Sequence, residues 1–331
     1  MSYAAVCFGD RILCWDTILI ALAALVCLFA LYAAWSGVGG RLPFLCLFAP
    51  LALLFSYAAA RLIYWSCHLE QFSGLLSALT APTTAGYCLS GVVIGFVLAA
   101  LLVWALRLTP KLGPLLDCCA PALALGFAVL RLSSFFSGTC RGKMLIADPR
   151  FRRLPFAWPS LTASGAVEYR FAAFFVEALL FFLIFLAVTA LFCRSYPRVK
   201  QKRRAARGDV FLSFLLLESA VEIVIDSTRN DATFFNFNAF ISVAQILGGA
   251  AILAILIVFS RRSVKKYGLR VYHALCWLLY LLSLGGAGVC EYLVQRHGNW
   301  ALSCYSAQSL CCLLMIGAVF ALKRRLKKRT Q

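Results

Sequence analysis

Apolar runs of about twenty residues recur nine times along this sequence, and that recurrence decides what the chain can become. Wound as a helix at 1.5 Å per residue, such a run crosses the ~30 Å hydrocarbon core of a bilayer. Inside lipid every backbone amide must find its partner within the segment, so each run is expected to be helical. The chain is 63% hydrophobic and 14% charged, with a mean hydropathy of +0.86; soluble domains carry about a quarter charged residues. The expected fold class is therefore all-α: a polytopic helical membrane protein with about nine transmembrane helices. They cover roughly residues 17–36, 43–65, 86–106, 115–136, 170–193, 209–227, 238–260, 271–290 and 301–322. The first run, Thr17 to Trp35, is too long for the apolar region of a cleavable signal and has no basic n-region before it, so it is expected to stay as a span.

Charge sets the orientation. The formal net charge is +19, and three segments, Arg194–Arg207, Arg261–Arg270 and Lys323–Arg329, hold seven, five and six of the thirty-two Lys and Arg residues. All three follow odd-numbered spans. Basic residues beside spans are retained on the cytoplasmic side, which predicts an outside N-terminus and a cytoplasmic C-terminus. Residues 71–84 and the long loop 138–169 then lie outside. Basic clusters this close to spans suit anionic lipid head groups, and no nucleic-acid partner is expected.

The fifteen cysteines lie mostly inside apolar runs, where Cys packs as a small hydrophobe. The adjacent pairs Cys118/Cys119 and Cys311/Cys312 lack zinc-ligand spacing, and His68, His273 and His297 are scattered, so no metal and no other cofactor is expected. No nucleotide-binding loop, HExxH motif or nucleophile elbow is present, so any chemistry must sit in the bundle or its outer loops.

The most informative stretch, Asp117 to Lys143, reads DCCAPALALGFAVLRLSSFFSGTCRGK. It sets Arg131 near the outer end of an apolar helix, where a cation costs about 2.5–3.5 kcal/mol at the bilayer centre and less toward the interface. An anion nearby would offset that cost. Ser133, Ser134 and Ser137 offer hydroxyl donors, and Gly138 and Gly142 allow positive φ or close backbone approach. A lipid phosphate fits this set; a snorkelling arginine followed by turn residues fits it as well.

A second stretch, Asp209 to Thr228, places Glu218, Glu222 and Asp226 four residues apart, hence on one face of an otherwise apolar helix. Acids inside a membrane must pair with cations such as Arg61, Arg131 or Arg229, line a polar cavity, or bind protons. A structural ion-pair network is the alternative. Arg61, Glu177 and Gln245 are single polar residues in apolar runs; each can serve as interhelical glue, and together they suggest a polar cavity. Gly91 and Gly95 form a GxxxG step in the third run, a signal of close helix packing.

In order, the segments ILCWDTILIALA, AARLIYW, AGYCLSGVVIG, DCCAPALALGFAVLRLSSFFSGTCRG, LPFAW, FFVEALL, VEIVIDSTRND and ISVAQILGG resemble the prolipoprotein diacylglyceryl transferases of bacterial plasma membranes, over roughly residues 7–262. The resemblance implies a seven-helix transferase domain, 1–262, followed by two extra helices and a basic tail, 263–331. It implies an enzyme of the plasma membrane that moves the diacylglyceryl group of phosphatidylglycerol to the thiol of a lipobox cysteine in a prolipoprotein, releasing glycerol phosphate. Arg131 matches the family's phosphate-holding arginine, and Gly138 and Gly142 match its signature glycines. Arg61, Glu177, Arg229, Asp231 and Gln245 fall on motif positions as well. The sequence departs from the pattern elsewhere. Ser90 stands in place of a histidine implicated in catalysis, Asp16 in place of a tyrosine, Ser134 and Ser137 in place of two asparagines, and Phe171 in place of a second histidine. Glu222 replaces a head-group arginine, inverting a charge worth roughly 4 kcal/mol for a unit pair ~4 Å apart at an effective dielectric near 20.

These residues lead to a divergent phospholipid transferase that uses Arg131 as phosphate clamp, with Glu222 and Asp226, or Glu218, standing in for the missing base and Ser90 at the catalytic position. The alternatives are a non-catalytic relative that binds lipid or prolipoprotein, and a transporter whose acidic ladder carries protons or cations.

Overall fold

The computed structural model describes residues 4–8, 11–80, 86–109, 111–161, 165–196, 208–235, 240–297 and 301–327. Each apolar run is a helix: α1 (Trp15–Gly37), α2 (Leu42–Cys67), α4 (Leu89–Ala105), α5 (Leu112–Ser137), α6 (Ala173–Ser195), α7 (Asp209–Thr228), α8 (Val243–Tyr267), α9 (Val271–His297) and α10 (Ala301–Lys327), with a short α3 (Leu75–Thr80) between α2 and α4. Seven of these are long and apolar enough to cross a bilayer. The other two correspond to the third and sixth expected spans: α4 has 17 residues, and α7 carries the acidic ladder. The chain is an all-α, multi-pass membrane protein.

Several boundaries differ from expectation: α8 is Val243–Tyr267 rather than 238–260, and α10 ends at Lys327 rather than 322. Helix α6 begins at Ala173 rather than 170, because Val167–Phe171 is a strand, β4, paired antiparallel with β3 (Ala157–Leu161). Helix α9 runs seven residues past the expected end, to His297, so it carries Glu291 inside the helix. A second hairpin, β1 (Ala4–Phe8) and β2 (Arg11–Cys14), precedes α1.

The chain forms two compact units, 1–214 with 229–231, and 215–228 with 232–331. In the first, α5 is the enclosed helix: 72% of its apolar window is buried, against 22% for α1 and 28% for α2. Helix α1 lies along α5, with Gly126 of α5 leaving room for Cys27. Helix α6 lies along its other flank, where Phe127 meets Phe181 edge-on at 5.4 Å. The GxxxG step does what its spacing suggests. A Cβ on Gly91 would stand 2.6 Å from the Ala60 Cα, and one on Gly95 would collide with the backbone at Phe55 and Ser56, so α4 rides directly on α2.

Asp117, in the first turns of α5, ties in the start of α7. Its carboxylate accepts from the Val210 and Phe211 amides at 2.9 Å each and from the Tyr196 hydroxyl at 3.0 Å. The first amides of a helix have no partner within it, so the carboxylate serves them as a remote cap.

In the second unit α9 and α10 pair with each other and α10 packs on α8. His273 is a satisfied core histidine, 3.0 Å from the Ser263 hydroxyl. At the basic ends of α8 and α10 the Lys266 Nζ donates to the Leu326 carbonyl and the Tyr267 hydroxyl to that of Arg325, so two of the three basic clusters share one end of this unit. Most of the first cluster, from residue 197 to 207, lies outside the described residues. The fourteen cysteines from Cys14 to Cys312 are free.

Candidate functional site

The site is built where α5 ends. Arg131 is buried, 9% exposed, and its Nε meets the Glu177 Oε1 of α6 at 2.6 Å; Glu177 is fully buried. An isolated cation at this depth would be costly, and the pair also fixes the direction of the guanidinium. The Arg131 Nη1 lies 3.3 Å from the Cys140 sulfur, which brings the following loop back over the helix end.

That loop takes the conformation its glycines permit. Gly138 ends α5 with φ at +71° and donates its amide to the Ser134 carbonyl at 2.9 Å, a left-handed helix cap. Cys140 also has positive φ, +54°. Ser134, Thr139 and Ser137 form a hydroxyl chain, with the Thr139 Oγ1 3.2 Å from the Ser134 Oγ and 2.8 Å from that of Ser137. Gly142 packs against β4: its amide donates to the Phe171 carbonyl at 2.7 Å, and a Cβ there would stand 2.7 Å from both that oxygen and the Phe171 Cβ. Phe171 thus supports the loop through its backbone.

Residues 229–231 close the loop from the other side. Gly142 bridges Arg229, and the Asn230 amide donates to the Arg141 carbonyl at 2.8 Å. Asp231 accepts from the Cys140 amide at 2.8 Å and from the Arg229 Nε at 3.0 Å. Partial burial pushes its carboxyl upward, but the Arg229 guanidinium, the Cys140 amide and the charge of Arg131 outweigh that and hold it below the usual carboxylate range. Arg131 pairs with Glu177 and Arg229 with Asp231, and Arg141 adds a third cation to the loop, so these five side chains carry one net positive charge.

Arg141 is the site residue that sequence reasoning missed. Its Nη1 donates to the Ser160 hydroxyl of β3 at 2.8 Å, and its buried Nε has no hydrogen-bond partner among the described residues. The signal was legible only as one more Arg in CRGK; the fold of the loop aims it inward.

The remaining predicted residues have other surroundings. Arg61, 2% exposed, donates from Nε to the Ala78 carbonyl at 2.9 Å and from Nη1 to that of Gly86 at 3.3 Å, and its face meets the rings of Phe72 and Tyr87. It clamps the α3 segment onto α2. Ser90 is half-buried in the first turn of α4, and Asp16 accepts the Thr17 amide in the first turn of α1. In the second unit Glu218, Glu222 and Asp226 are each under 5% exposed, and the Ser219 hydroxyl donates to Glu218 at 3.3 Å. Gln245 closes a capping box with Ser242 at the start of α8 and donates to the Ile223 carbonyl at 3.2 Å. Its role is the helix start and a helix–helix tie.

The profile of the family described as prolipoprotein diacylglyceryl transferase matches residues 5–261. A phosphatidylglycerol--prolipoprotein diacylglyceryl transferase of Trichormus variabilis is 28% identical over 211 residues, 61% of this chain and 71% of its own length. The protein of that name from Oceanobacillus iheyensis is 24% identical over 273 residues, 79% of this chain and 89% of its own. The matched span contains the Arg131 cluster and ends within α8, six residues before Tyr267. By this match the chain belongs to the prolipoprotein diacylglyceryl transferase family.

Proposed function

We propose that this chain transfers the diacylglyceryl group of phosphatidylglycerol to the thiol of a lipobox cysteine, at the outer face of the bacterial plasma membrane, with its N-terminus outside and its C-terminus cytoplasmic. The observation that carries the proposal is the buried Arg131, aligned by Glu177 beneath a loop whose Arg141 holds a buried guanidinium nitrogen without an acceptor among the described residues. A phosphate oxygen supplies such an acceptor, and guanidinium forks match phosphate geometry. Ser134, Ser137 and the Gly138–Gly142 backbone line the same loop, and Arg229 adds positive charge at its edge.

Chemically, the cysteine sulfur attacks the glyceryl carbon esterified to phosphate. The carbon–sulfur bond forms as the carbon–oxygen bond to phosphate breaks, and glycerol phosphate leaves with the bond electrons. Cations at the phosphate stabilise the charge that develops on the leaving oxygen. The thiol proton goes to a base, for which Glu218, Glu222 and Asp226 are the candidates; the Ser90 hydroxyl stands at the position of the missing histidine and is a poor base. We assign this work to residues 1–262. The two C-terminal helices and basic tail, 263–331, form an addition with a separate task.

Glu222 and Ser90 support a second reading, a relative that binds phospholipid or prolipoprotein without turning it over. A transfer assay separates the two: purified chain, phosphatidylglycerol labelled in its acyl chains, and a lipobox peptide. Labelled thioether peptide supports transfer. Bound lipid with no product, under conditions where a relative with the full set of family residues reacts, supports the binder.

A further inference from the structure

The second unit holds a cavity of about 320 Å³ lined from α7 by Ile223 and otherwise mainly by α8, α9 and α10, and apart from Gln245 its lining contains none of the predicted site residues. Its walls are apolar, with Ile246, Leu253, Leu284 and Met315 among them. One end is polar. Glu291 of α9, 2% exposed, accepts from Gln245 Nε2 at 2.8 Å, Gln308 Nε2 at 3.1 Å and Gln295 Nε2 at 2.7 Å. Three amides ring this carboxylate, and among the described residues no Lys, Arg or His lies within ion-pair distance of it. Gln308, 1% exposed and also lining the cavity, has a buried Oε1 with no hydrogen-bond partner among the described residues.

We infer that this cavity binds a single-chain amphiphile with a protonated primary amine as its head group, the ammonium donating to Glu291 and to the Gln308 Oε1 while the chain fills the apolar part. The polar end holds an anion and a spare acceptor, so it selects a donor that carries positive charge. An ammonium brings three donors and no acceptor, and it supplies the counter-charge that buried carboxylates otherwise lack. A hydroxyl brings one donor and no charge, and a carboxylic acid in its ionised form brings a second anion. The volume sits at the low end of the ~300–1,000 Å³ typical of ligand pockets, which suits one chain and not two. A phospholipid head group is disfavoured by its phosphate. This site is independent of whether the first unit performs transfer.

The test uses the purified full-length chain in lipid nanodiscs and three photoreactive dodecyl probes that differ only in the head group: primary amine, alcohol and carboxylic acid. After illumination, labelled peptides are identified by mass spectrometry. The amine is expected to label α8 and α9 peptides saturably, at least tenfold more than the acid. Glu291→Gln should reduce amine labelling at least tenfold. Gly288→Leu should abolish it, because a Cβ on this cavity-lining glycine meets nothing within 4 Å, so a side chain enters the cavity without backbone collision. Equal labelling of the parent chain by amine and acid overturns the proposal without reference to any variant. So does amine labelling that persists in Gly288→Leu.

Discussion

At the residue scale, the loop after α5 depends on Asp231, a carboxylate that serves a guanidinium and a backbone amide together. Its pKa is held below the ordinary aspartate value of about 3.9. A carboxyl with a depressed folded pKa contributes stability that is complete above the unfolded value and is lost as pH falls through the folded one. Asp231→Asn should therefore melt at lower temperature than the parent at neutral pH. The gap should stay constant down to about pH 5 and close below it, read by thermal unfolding in detergent across pH. A gap independent of pH would remove Asp231 from the charge network.

Single residues also show what a sequence can and cannot reveal. Arg131 was legible because a lone guanidinium in an apolar helix is expensive enough to demand a reason, and Glu177 stood out on the same ground. Their pairing was not legible, since 46 positions separate them and only the packing of α5 against α6 brings them together. Glu291 lies one residue past the expected end of its apolar run at 290, whereas the helix continues seven residues further, to His297, and takes the acid inside. Arg141 was hidden among residues expected to be solvated turn. Arg61 is expected either to tie helices or to line a polar cavity; its partners are carbonyls of a segment whose path the sequence does not encode in any local pattern.

At the scale of elements, helices were legible and their joints less so. Length and apolarity specify a span almost by themselves, because lipid leaves an amide no other partner. The β3–β4 hairpin has no such constraint, and Phe171 at its end falls inside the expected fifth span, 170–193. The glycines mark the closest joints. Gly91→Val should push α4 off α2 by placing a branched side chain where even the Cβ stands 2.6 Å from the Ala60 Cα. Overpacking of this kind costs about 1–3 kcal/mol. Thermal melting should fall accordingly, whereas Gly37→Ala, whose Cβ meets nothing within 4 Å, should leave it near the parent value. Equal melting of the two variants would mean that the α2–α4 contact is looser than described.

At the scale of the whole molecule, the charge pattern is the main guide to orientation. Eighteen of the thirty-two basic residues sit in three clusters after odd-numbered spans, and the proposal of a cytoplasmic C-terminus rests on them. A fluorescent protein fused after Gln331 should fluoresce, and alkaline phosphatase at the same point should stay inactive. The opposite pair of results would turn the molecule over and put the Arg131 site on the cytoplasmic face. The family match covers residues 5–261 and stops before α9 and α10, and the proposal that transfer resides in residues 1–262 rests on that limit. Deleting the chain after residue 267 removes α9 and α10 and tests whether transfer needs them.

All of this converges on the guanidinium at position 131, and one comparison tests it most directly. Arg131→Lys, Arg131→Ala and the parent, matched for helical content, are given phosphatidylglycerol and a lipobox peptide, and the diacylglyceryl thioether is measured by intact mass. The account predicts product from the parent, a small remnant from Arg131→Lys, which keeps the charge and loses the fork, and none from Arg131→Ala. Product formed at the parental rate by a folded Arg131→Ala chain would contradict it.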